Sequence, residues 1–166
     1  MSVFSEEPFG AADPLDLAPV PLAAVRYHSL HLADLGTVFD PSYAALGQTI
    51  GNGAVAPSGP AVAIFRGDPQ EVFDLDVAFP IETPLTAPIA VGDVAVEPAE
   101  LPSGPALART VIGSYDGLGA AWAELFAAAA VQGRRPAGVW IEVYVSDPRT
   151  TAVEELRTDL ILPVMR

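Results

Sequence analysis

The hydrophobic positions fall into two runs of the same form. Over residues 71–81, Phe73, Leu75, Val77 and Phe79 alternate with Asp74, Asp76 and Ala78, the period of a strand with one apolar face. Upstream lie a strand pattern over residues 61–66, closed by Gly67-Asp68-Pro69, and another over residues 23–28. Between those two, a helical pattern covers about residues 39–46, with Asp40-Pro41 as cap and first-turn proline. The order then repeats. A strand over residues 107–112 is followed by a helix over residues 118–131, stopped by Gly133 and Pro136. A strand over residues 138–145, a turn at Asp147-Pro148 and a strand over residues 155–164 close the second run.

The two runs correspond residue by residue. Arg26 matches Arg109, Leu35-Gly36 matches Leu118-Gly119, and Phe39 matches Trp122, all at one constant spacing. The Asp-Pro turns sit at a slightly shorter spacing, and the terminal strands, ending Phe79-Pro80 and Leu162-Pro163, return to the first. Such self-similarity predicts an α+β fold: a tandem β-α-β-β repeat with pseudo-two-fold symmetry, an antiparallel sheet, two main helices and a ligand cleft between the halves. The halves span about residues 19–86 and 101–166 of a single domain running from 19 to 166. Residues 1–18, rich in Pro, Ala, Asp and Glu, read as a flexible arm. Residues 87–105 read as a linker, with one candidate short strand at 89–96.

Composition narrows what such a fold does. Hydrophobic residues make up 51% of 166 residues, enough for one packed core, and no apolar run approaches the roughly 20 residues that span a bilayer. The start, MSVFSEEPFG, carries glutamates where a secretory signal carries basic residues, so a cytoplasmic protein without membrane attachment is expected. There is no cysteine, which excludes disulfides and thiol catalysis. All 8 basic residues are arginine, so a lysine Schiff base is excluded as well. The net charge of −13 argues against nucleic acid as a partner and favours cationic ligands. His28 and His31 lack a third ligand at a metal-binding spacing, so no metal and no cofactor are expected. The glycines from Gly113 to Gly119 lack the Lys-Ser/Thr of a phosphate loop, and no Gly-x-Ser-x-Gly elbow is present.

One strand carries candidate chemistry. In residues 138–145, Val139, Ile141, Val143 and Val145 form an aliphatic face, and Trp140, Glu142 and Tyr144 form the other. Both faces are largely apolar, which places a carboxylate between two aromatic rings where it is poorly solvated. Such a group raises its pKa or takes a cationic ligand; the alternative is an ordinary solvent-facing glutamate with rim aromatics. The equivalent face of the first half, Ala61, Ala63 and Phe65, has no acid. Trp122 and Phe126 share a helix face and serve either as core or as walls for an aromatic ligand. Tyr115 is placed to point a hydroxyl inward or to pack in its turn. The candidate ligand-binding set is therefore Glu142, Trp140, Tyr144, Trp122, Phe126, Tyr115 and Phe65. Arg26 and Arg109 read as ion-pair partners of strand acids such as Asp76 and Asp159.

The runs 59–65 and 73–81, Gly113-Ser114-Tyr115-Asp116-Gly117-Leu118, Glu142-Val143-Tyr144-Val145-Ser146-Asp147-Pro148 and the ending 156–164 resemble the GyrI-like small-molecule-binding family. These are the effector-binding domains of AraC- and MerR-type regulators, built from two SHS2-type β-α-β-β modules. The resemblance implies a carboxylate at Glu142 lying among aromatic residues and meeting lipophilic, often cationic, compounds. Residues 1–18 leave no room for a helix-turn-helix, so a stand-alone module for sensing, sequestration or multidrug resistance is expected. Similar stand-alone members hydrolyse cyclopropane-bearing natural products; that resemblance implies Glu142 activating water and Tyr115 or Tyr144 donating to the developing phenolate. Gyrase-binding relatives imply a third reading, a protein partner met by the acidic surface; a homodimer is also open.

Overall fold

The computed structural model describes residues 2–166 and consists of two compact units. One is formed by Pro19–Leu101, the other by Pro102–Arg166 together with the N-terminal arm through Ala18. Among the described residues no helix is long and apolar enough to cross a membrane.

The first unit runs β2 (Pro21–Leu30), α1 (Leu35–Gly51), β3 (Ala61–Gly67) and β4 (Phe73–Pro80), and then the hairpin β5 (Ile89–Val91) and β6 (Val94–Glu100). The second runs β7 (Gly104–Ile112), α2 (Leu118–Val131), β8 (Val139–Tyr144) and β9 (Arg157–Pro163), with β1 (Asp13–Leu17) supplied by the arm. In each unit the first strand pairs antiparallel with the last, and the last with the third. Each first strand also gains one outer neighbour, β6 on β2 and β1 on β7. The β-α-β-β repeat is thus present twice, and the fold is α+β with antiparallel sheets.

The helices sit where the apolar stripes direct them. Ala121, Trp122, Leu125 and Ala129 of α2 bury against Leu107, Leu160, Leu162 and Val164. In α1, Val38, Ser42, Ala45, Leu46 and Thr49 are buried, and the Ser42 hydroxyl meets Tyr27 Oη at 2.7 Å.

Four sequence expectations need correction. The arm is ordered: Asp13–Leu17 pair with β7, and residues further upstream are gripped by side chains, a form of docking that leaves no hydrophobic periodicity to read. The linker holds β5 and β6, and Leu22, Ala23 and Ala24 of β2 bury beneath the pairing that β6 completes. Helix α1 starts at Leu35, directly after the 3-10 turn Leu32–Asp34, so Asp40-Pro41 lies inside it and not at its cap. Finally, Arg26 pairs across to Asp76, whereas Thr110, not Arg109, faces Asp159. The β7–β9 register differs by one residue from β2–β4, which sends Arg109 to the opposite face.

That slip separates the ion pairs. Asp76, nearly sealed from solvent, accepts from Arg26 Nε at 3.1 Å and Arg66 Nη1 at 2.7 Å. Fully buried Asp159 accepts from Thr110 Oγ1 at 2.7 Å and from Arg157 Nε and Nη2 at 3.0 and 2.9 Å. Arg109 pairs instead with Glu124 on α2.

Candidate functional site

Strand β8 pairs with β9, Glu142 opposite Leu160, and its alternation turns Trp140, Glu142 and Tyr144 towards α2 while Ile141 and Val143 bury on the reverse face. Helix α2 then lays Trp122 and Phe126 over that side. The rings form a close group: Phe126 and Trp140 centroids lie 4.7 Å apart, Trp122 and Trp140 5.0 Å, Trp122 and Phe126 6.3 Å. Tyr115 follows Gly113, whose φ of 127° lets β7 break sharply into the 3-10 turn Tyr115–Gly117. From there the Tyr115 ring meets Tyr144 edge-on, 5.9 Å between centroids, and remains 40% exposed.

Glu142 is the centre of this group. Trp122 Nε1 donates to its Oε2 at 2.9 Å, and Tyr144 Oη donates to its Oε1 at 2.7 Å. Among the described residues no basic side chain forms an ion pair with it. Burial pushes its pKa up, and the hydrogen bonds from Trp122 and Tyr144 offset this only in part. Burial likewise raises the Tyr115 phenol, aided by the negative charges of Asp147 and Glu142. The arrangement is a carboxylate held by two neutral donors beside three aromatic rings. Each oxygen keeps lone pairs for a further donor, and among the described residues its charge has no ion-pair partner.

The structure brings Glu142, Trp140, Tyr144, Trp122, Phe126 and Tyr115 together within the second unit. Phe65 is placed differently: it is buried in the first unit, its ring 5.5 Å from Phe73. The first unit has its own aromatic line, Phe39–Tyr43–Phe79, with centroids 6.0 Å apart at each step, but Ala63 is fully buried where the second unit has Glu142. What sequence reasoning missed is that Trp122 and Tyr144 are donors to Glu142 as well as walls. The signal was present, because a buried indole N–H needs an acceptor. No cluster of His, Asp or Glu suited to a metal ion occurs among the described residues.

Fold and site together define a small-molecule-binding α+β module. The chain belongs to the GyrI-like small molecule binding domain family, whose model matches residues 43–165. No curated protein matches its sequence. Among solved structures it resembles the EcmrR C-terminal domain, at 15% identity and a TM-score of 0.72, covering 93% of this chain and 97% of that one. It is also similar to SAV2435 bound to tetraphenylphosphonium, at 11% identity and a TM-score of 0.68, covering 93% of each chain. A hydrolase from Listeria innocua is similar at 14% identity and a TM-score of 0.63, covering 96% of this chain and 94% of that one.

Proposed function

We propose that this domain binds lipophilic, cationic aromatic compounds, with Glu142 as the counter-charge and Trp122, Trp140, Phe126, Tyr115 and Tyr144 as walls. One observation carries this reading: a partly buried carboxylate, fixed by two neutral donors, with no ion pair to a basic side chain among the described residues. A delocalised cation over indole and phenyl faces gains cation–π attraction and neutralises the acid at once. The neighbour SAV2435 holds tetraphenylphosphonium, a compound of this type.

Titration with tetraphenylphosphonium, followed by tryptophan fluorescence and calorimetry, is expected to show saturable binding. Glu142→Gln should weaken it about tenfold or more, as expected for losing a charge-assisted contact of about 1.5–3 kcal/mol. A neutral tetraphenyl analogue should bind weakly to both proteins. Equal affinity of Glu142→Gln and the unaltered chain for the cation would remove the basis of the reading.

A second reading is favoured by Tyr115, whose phenol stands beside Tyr144 and near the Glu142 charge. In it, Glu142 takes a proton from water and the oxygen attacks a cyclopropane carbon. The ring C–C bond breaks, its electron pair passes into a conjugated ring as phenolate, and a tyrosine hydroxyl donates a hydrogen bond to that oxygen. Turnover of a cyclopropane-bearing alkylating compound, seen by mass and abolished by Glu142→Gln, would select this reading over binding alone.

A further inference from the structure

Both donors that hold Glu142 are tied, two residues further along the chain, to the N-terminal arm. Trp122 is followed by Glu124, which pairs with Arg109, and Arg109 Nη1 also donates to the carbonyl of Ala11 at 3.4 Å. Tyr144 is followed by Ser146, which exchanges hydrogen bonds with the backbone of Arg157. Arg157 in turn spreads its guanidinium over three arm carbonyls: Nη1 to Glu6 at 2.8 Å, Nη2 to Ser5 at 2.9 Å and to Glu7 at 3.2 Å. The same guanidinium is locked by Asp159, and Thr110 Oγ1 accepts the Phe9 N–H at 2.8 Å. Ala12 packs against the cluster that contains Trp122, and Phe9 is buried.

We infer that the arm is a strap that positions the binding site, with Arg109 and Arg157 as its two clamps. The contacts it makes are of a particular kind. Its charged clamps meet main-chain carbonyls, so they fix where the arm runs without fixing its side chains. Each clamp is shared with a segment that carries a donor to Glu142: α2 through Glu124, and the end of β8 through Ser146. A carboxylate that loses either donor while still buried is harder to keep charged. Tightening or releasing the strap therefore changes how well Glu142 serves as counter-charge, although its side-chain donors among the described residues are Trp122 and Tyr144 and not the strap. The arm's own sequence, with Pro8, Gly10 and Pro14 breaking any helix, suits an extended segment laid along a sheet edge. The arm thereby also covers the free edge of β7.

The effect on ligand rests on the cation-binding reading above; the effect on Trp122 does not. The full chain carrying Trp140→Phe has Trp122 as its sole tryptophan, since the sequence contains 2. In that background, removal of residues 2–11 and, separately, Arg109→Gln are compared with Arg135→Gln, an exposed arginine that controls for charge. Acrylamide quenching of Trp122 should rise in the first two and stay put in the third. With Trp140 intact, tetraphenylphosphonium affinity should fall about tenfold in the same two, the loss expected for one charge-assisted hydrogen bond. If strap removal lowers only the melting temperature, with quenching and affinity unchanged, the inference is overturned. If the unaltered chain does not bind tetraphenylphosphonium, the ligand reading fails, and the quenching result alone still decides the strap.

Discussion

Glu142 and Asp159 are both carboxylates on strands of one unit, and their surroundings set them opposite tasks. Asp159 is neutralised by Arg157 and Thr110 and is part of the scaffold. Asp159→Asn leaves the Arg157 guanidinium, itself only 12% exposed, without its counter-charge. It is expected to cost about 3 kcal/mol, read as a lower urea midpoint. Among the described residues Glu142 has only neutral donors, and burial raises its pKa. An acid whose pKa is higher folded than unfolded stabilises the fold only while protonated, below its unfolded pKa. That contribution is lost as pH rises through the folded value. Glu142→Gln should therefore be at least as stable as the unaltered chain at neutral pH, with Tyr144 Oη turning to accept from the new amide. The proposed cation binding runs the other way. It requires the ionised form, so tetraphenylphosphonium affinity should fall as pH drops through the raised pKa, with proton release on binding in that range. Trp122→Phe removes a donor that favours the ionised form and should move this midpoint to higher pH. A titration curve that is flat with pH, or unmoved in Trp122→Phe, would contradict the account.

At the scale of elements, α1 contains a proline that its neighbours must tolerate. Pro41 is exposed, and it removes one backbone donor from the helix interior. Pro41→Ala restores that hydrogen bond and should raise the melting temperature, by an amount reduced by the greater freedom of the unfolded chain. Leu125→Ala in α2, at a fully buried position, should lower stability by about 3 kcal/mol. Helix α2 also shows what was legible beforehand. Its limits follow from an apolar run closed by Gly133 and Pro136, and the observed Leu118–Val131 matches. The face shared by Trp140, Glu142 and Tyr144 follows from strand alternation alone. The start of α1 was hidden because Asp40-Pro41 imitates a cap, while the true entry is a 3-10 turn in which Asp34 accepts the His31 N–H. The register slip of β7 was hidden because Arg109 and Thr110 can each face an aspartate, and only packing chooses between them. The arm was hidden because guanidiniums hold its carbonyls from 98 or more residues away, and carbonyls carry no sequence signal.

For the molecule as a whole, the proposed cation binding at Glu142 implies that the net charge of −13 acts on the ligand before contact. The long-range field and the local charge have separable kinetic signatures. The field gathers cations from beyond contact distance, so it raises the association rate, and salt screens it over roughly 8 Å at physiological ionic strength. In the proposed reading Glu142 acts at contact, inside a partly desolvated group of rings, where salt screens little, so its share appears chiefly in the dissociation rate. Stopped-flow fluorescence with tetraphenylphosphonium at rising salt should show a falling association rate and a nearly constant dissociation rate. Glu142→Gln removes one charge of the net and leaves the rest of the field intact. It should keep most of the salt dependence of association while dissociating about tenfold faster. Were the mutation instead to abolish the salt dependence and spare the dissociation rate, Glu142 would be acting as surface charge and not as the partner of a bound cation.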